Sequence, residues 1–195
     1  MENVCIIEKI SKVLEHPLII AVVSILLSSG LINRLLKRKE KREQKRKEAI
    51  KTAEETSVIL NNDLTFLFWQ VREETFDIYE EFSSASRNAF KYRLKFKIKV
   101  NIYFAEEDIL KDYDSIIKEI SFLKYSIEKC KNEEFDEKSI IERINELKIK
   151  WDITNDYPIE DLKYPFNIFF SWSQVIWYKT ENFMSNLLAQ SLNIK

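Results

Sequence analysis

The chain has 195 residues, with 31 Lys and Arg against 32 Asp and Glu, and a hydrophobic fraction of 45%. It is too apolar for a disordered chain and long enough for one domain with a small appendage. A single Gly (Gly30) and a single His (His16) exclude Gly-rich phosphate loops, histidine triads and histidine metal clusters. Cys5 and Cys130, far apart and without a CxxC, indicate neither a disulfide framework nor a zinc site.

Residues 1–16 carry Val4, Ile6, Ile7, Ile10, Val13 and Leu14 at helical spacing. This predicts a short amphipathic segment on the outer face of a membrane, an extension of the following helix, or a pore plug. Residues 17–32, PLIIAVVSILLSSGLI, hold no charge. Extended through Leu36, they make a predicted transmembrane helix over 17–36, ~30 Å long at ~1.5 Å per residue. Ala21, Ser24 and Ser28 fall on one face of it, and such small residues allow close helix packing. Residues 37–48, KRKEKREQKRKE, net +5. Lys37, Arg38, Lys39, Lys41, Arg42, Lys45, Arg46 and Lys47 form a basic collar suited to anionic headgroups, with nucleic acid as the rival ligand. The positive-inside rule places this collar in the cytoplasm and the N-terminus outside the cell membrane.

The stalk helix is expected over 37–62, with Asn61-Asn62-Asp63 as its break and Asp63 as an N-cap. Residues 63–195 then form a cytoplasmic helical bundle, because Leu31 to Tyr157 contains neither Gly nor Pro. Leu64 to Phe82 is apolar on more than one side, and Ser83-Ser84-Ala85-Ser86 reads as a second break. Ile109, Leu110, Tyr113, Ile116, Ile117, Ile120, Leu123, Ile127 and Cys130 trace one helix face. Asp136 caps a helix running through Trp151. Pro165 opens the last helix, whose start, FNIFFSWSQVIWY at 166–178, is uncharged and too short for a second membrane pass. The fold class expected is all-α, with a transmembrane helix, a basic stalk and a cytoplasmic bundle.

Residues 91–100, KYRLKFKIKV, alternate strictly between cationic and apolar residues. Period two is a strand signature, but a lone strand has no ladder partner in a helical chain. The reading favours a helix, with a single intersubunit strand or a hairpin near Ile102–Phe104 as alternatives. Lys91, Arg93, Lys95, Lys97 and Lys99 are candidate ligands for an anion such as a nucleotide or oligonucleotide. Tyr92, Phe96 and Tyr103 would then stack on bases.

No nucleophile or general base stands in a recognisable setting, so neither enzymatic activity nor a cofactor is expected. The order Glu15-His16-Pro17, an apolar span with Ser28-Ser29-Gly30, a Lys/Arg-rich stalk and a helical domain resembles small bacterial single-pass membrane effectors of anti-phage defence. That resemblance covers residues 15–60. It implies a homo-oligomer whose cytoplasmic domain gates a pore or membrane lesion in response to a nucleotide-type signal. The implied partners are membrane lipid, further copies of the chain, the signal and a partner enzyme encoded nearby. The alternative function is a membrane-tethered adaptor that recruits a soluble partner protein.

Overall fold

The computed structural model describes residues 17–28, 30–104, 107–132, 136–154 and 162–194, the side chains of 26–28, 31 and 107 excepted. Every regular element among them is a helix: α1 Pro17–Ser28, α2 Leu31–Arg72, α3 Glu80–Tyr103, α4 Glu107–Lys131, α5 Glu137–Lys150 and α6 Phe166–Leu192. The amphipathic segment expected at 1–16 lies outside the described residues. Two compact units divide the chain, residues 1–45 and 46–195.

In the first unit the expected transmembrane helix is not formed. The apolar run is cut at Gly30, which takes φ +70 and leaves α1 only 12 residues, ~18 Å, long. That backbone conformation suits glycine, which has no Cβ to clash. The Arg34 N–H donates to the Gly30 carbonyl at 2.9 Å at the start of the next helix. Leu35 and Leu36 therefore belong to α2, whose following residues are dominated by charge. No helix among the described residues is long and apolar enough to cross a membrane.

The second unit is a four-helix bundle with a fifth helix alongside. The end of α2, α3, α4 and α6 form the closed ring. Cross-helix contacts fix antiparallel neighbours: Thr56 to Tyr92 and Asp63 to Ser86 join α2 to α3, and Tyr113 donates to the Ala89 carbonyl between α4 and α3. Lys179 pairs with Asp112 between α6 and α4, and Phe68 packs edge-on against Phe170 and Trp177 between α2 and α6. Helix α5 packs against α6, and its Arg143 makes a bidentate pair with the buried Glu119 of α4 at 2.6 and 2.9 Å.

The expected breaks at 61–63 and 83–86 are both interior to helices. In α2, Asn61 and Asn62 face solvent while Asp63 turns inward. Ser86 meets it from α3, so these polar residues serve a cross-helix contact and not a cap. The α2–α3 turn lies instead at 73–79. The buried Gln70 side chain donates to the carbonyls of Thr75 and Asp77 and accepts from the Tyr79 N–H, and Glu74 takes φ 47. One amide thus replaces the Gly or Pro that a turn usually uses.

The strand alternative for 91–100 is overturned, since the segment lies within α3. The other helices fall where periodicity puts them. Asp136 accepts from the Ser139 N–H at 3.2 Å, capping α5, and the uncharged start of α6 lies in the bundle core. Phe96 is fully buried at the centre of that core, 4.7 Å from the Tyr113 ring and 6.3 Å from Phe183. Phe96→Ala should destabilise the bundle by about 3–5 kcal/mol, the cost of a large core truncation. Urea denaturation followed by circular dichroism measures it, and a loss under 1 kcal/mol would place Phe96 outside the core.

Candidate functional site

Alternation on a helix has a consequence that it lacks on a strand. Residues two apart are turned by ~200°, so even positions split into two stripes on opposite sides. Along α3, Tyr92, Phe96 and Val100 are buried against the bundle. Phe90, Leu94, Ile98 and Ile102 stand on the other side, 54–69% exposed. Four successive large apolar residues i, i+4, i+8 and i+12 make an outward ridge about 18 Å long. Sequence reading missed this ridge, although its signal was the period-two pattern itself.

The cations occupy the flanks between these two stripes. Arg93 forms a bidentate pair with Asp114 of α4 at 2.5 and 2.6 Å. Lys95 and Lys99 converge on Glu55 of α2 at 3.1 and 2.9 Å. The hydrogen bond from Lys99 is the largest cause holding the Glu55 carboxyl down at about 2, with Lys95 adding to it. Lys91 and Lys97 are exposed and have no ion-pair partner among the described residues. The five cations named by sequence therefore divide into three that staple α3 to its neighbours and two beside the ridge. Arg87, one turn earlier, is a third exposed cation on that side. Tyr92 and Phe96 face the core, so their rings are not available for base stacking. Tyr103 is half-buried against the core.

In the first unit, Ala21 and Ser24 are exposed on α1, as are Leu18, Ile20, Val22, Val23 and Ile25. Ser28 lies in α1, with its side chain outside the described set. All eight collar cations lie on α2, are exposed, and have no ion-pair partner among the described residues. Among the described residues no cluster of three or more His, Cys, Asp or Glu could hold a metal ion.

One buried acid stands apart from these surfaces. Asp63 is 1% exposed, accepts one hydrogen bond from Ser86 at 2.7 Å, and leaves Oδ2 without a partner. Burial raises its pKa from 3.8 to about 6, against the smaller opposing effects of the Ser86 bond and the Lys124 charge. Sequence offered no signal for it beyond an acid one residue before an apolar run, which reads as a cap.

No family model, curated protein or solved structure matches this chain. The resemblance in layout to defence effectors therefore stands on residues 15–60 alone.

The Asp63 shift sets a pH dependence. Its folded pKa lies above the unfolded value, so its contribution is fully present below pH 4 and is lost as pH rises through about 6. Asp63→Asn should remove this loss, leaving the variant more stable than the parent at pH 7 by about 2–3 kcal/mol and level with it below pH 4. Urea titrations of both proteins across pH 4–7.5 measure the difference. A parent-minus-variant difference independent of pH would contradict the raised pKa.

Proposed function

We propose that the chain is a membrane-surface adaptor. In this reading α1 lies in the plane of a lipid interface, the collar binds anionic headgroups, and the bundle presents a docking face. The observation that carries it is α1: twelve uncharged residues with five large aliphatic side chains open to solvent, followed closely by the basic collar. A 12-residue apolar helix suits an interfacial position, where it needs no spanning length. Buried apolar area and the attraction of collar cations to anionic lipid would act together, the latter at about 1 kcal/mol per nearby Lys or Arg. The pore reading depended on a spanning helix and does not carry over. The adaptor reading needs only adhesion and a partner surface.

Vesicle co-sedimentation tests this. The intact chain should bind vesicles containing anionic phospholipid, bind neutral vesicles at least about 10-fold more weakly, and lose binding as salt rises. Leu18→Glu with Ile25→Glu should abolish binding while the bundle stays folded. Changing Lys37, Arg38, Lys41 and Arg42 to Gln should weaken anionic binding by at least about 10-fold, using the same per-residue scale discounted for salt. A trapped dye should remain inside the vesicles. Equal binding to neutral and anionic vesicles, or none to either, would overturn the reading.

A further inference from the structure

Beside the ridge of α3, the bundle carries a groove of complementary character. Two clefts of about 310 and 250 Å³ between α2 and the start of α3 meet at Phe66 and Glu81. Together they run from Ile59 to Glu73 along α2, about 21 Å at the helical rise. Trp69 stands in this groove with 62% of its surface exposed, its ring edge-on to Phe66. Tyr79 adds a second aromatic wall. Glu73 and Glu81 rim it, both exposed and without an ion pair among the described residues.

We infer that the ridge Phe90–Leu94–Ile98–Ile102 of one copy docks in the α2–α3 groove of a second copy, a head-to-tail contact. Three features of the surface point to this occupant. The lengths agree, about 18 Å of ridge for about 21 Å of groove. The charges are opposite: Arg87, Lys91 and Lys97 border the ridge, while Glu73 and Glu81 border the groove. The aromatic content of the groove supplies the anchor type that dominates protein interfaces, with Trp69 at its end. Pairing ridge to ridge across a two-fold axis would instead bring Lys91 and Lys97 of both copies together, which like charge disfavours. Because ridge and groove are different patches, the contact is heterologous, and each added copy presents a fresh site. The chain would then grow rings or filaments and not stop at dimers.

The test uses the full chain with Leu18→Glu and Ile25→Glu, so that contacts through α1 and the fate of the lipid reading do not enter. Sedimentation velocity at 1 to about 100 μM spans the range in which a contact of micromolar affinity shows itself. Species larger than dimers should grow with concentration. A ridge variant (Leu94→Glu, Ile98→Glu) and a groove variant (Trp69→Ala, Glu73→Lys) should each self-associate at least about 30-fold more weakly, the effect of losing one central anchor, and so stay monomeric at the low end of that range. Mixed together, they should form a one-to-one heterodimer and nothing larger, since one intact ridge meets one intact groove. A purely charged pair (Lys91→Glu, Lys97→Glu against Glu73→Lys, Glu81→Lys) leaves the apolar side chains in place; each variant alone should lose self-association, and the mixture should grow an alternating assembly, because both junctions then join opposite charges. The inference falls if the parent stays monomeric throughout, if the groove variant self-associates like the parent, or if neither mixture pairs. Capture of an acidic peptide or of vesicles by the ridge of a monomeric chain would also count against it.

Discussion

The second unit is governed by the fact that α3 carries large apolar residues on two opposite sides, while a bundle can cover only one. Burying Tyr92, Phe96 and Val100 satisfies the hydrophobic demand of the core. It turns Phe90, Leu94, Ile98 and Ile102 outward. Rotating the helix would exchange the two stripes but could not remove the conflict. The choice is made by aromatic fit, because Phe96 meets both Tyr113 and Phe183, and by the staples on the two flanks. Arg93 ties to α4 on one side, and Lys95 and Lys99 tie to Glu55 of α2 on the other. Each pair is partly exposed and weak alone, but together they set the rotation about the helix axis.

This changes the meaning of the basic segment. Five cations in ten residues suggest an anion site when they are read as a row. In the bundle the row separates into members paired across helices and two, Lys91 and Lys97, without an ion pair among the described residues, and these two border apolar surface. A cationic border around an apolar ridge is a recognition feature for an acidic, apolar counterpart, and the groove at Trp69 has that character. The buried polar groups support the same frame from within. Gln70 builds the turn that brings α3 back along α2, and Asp63 with Ser86 crosses the interface so formed. Burial of the Asp63 carboxyl makes this interface pH-sensitive.

Much of the helical architecture was legible in the sequence. Ile109 through Ile127 follow one face closely enough that α4 could be placed, and Asp136 and Pro165 marked the starts of α5 and α6. What failed was punctuation. Asn61, Asn62 and Ser83–Ser86 resemble breaks, yet polar residues on the solvent side or in a cross-helix pair do not interrupt a helix whose apolar stripe continues past them. Gly30 acted the other way. It lies within an apolar run expected to continue through Leu36, but at φ +70 it ends the run. The ridge is hidden in the sequence because period two is first of all a strand signature, whereas on a helix it sets two stripes back to back. Neither Gln70 nor the pairing of Glu55 with two lysines could be found without the fold, since each joins residues distant in sequence.

The two faces of α3 are tested most directly by thiol labelling. Single cysteines replace Leu94 or Val100 in a chain carrying Cys5→Ser and Cys130→Ser, at a concentration where the chain is monomeric, with a water-soluble maleimide as probe. A helix with one buried and one outward stripe predicts rapid labelling at position 94 and labelling at position 100 slower by at least about 100-fold, as access there requires opening of the core. On a strand the two even positions would share a face. Equal labelling rates at 94 and 100 would contradict the account.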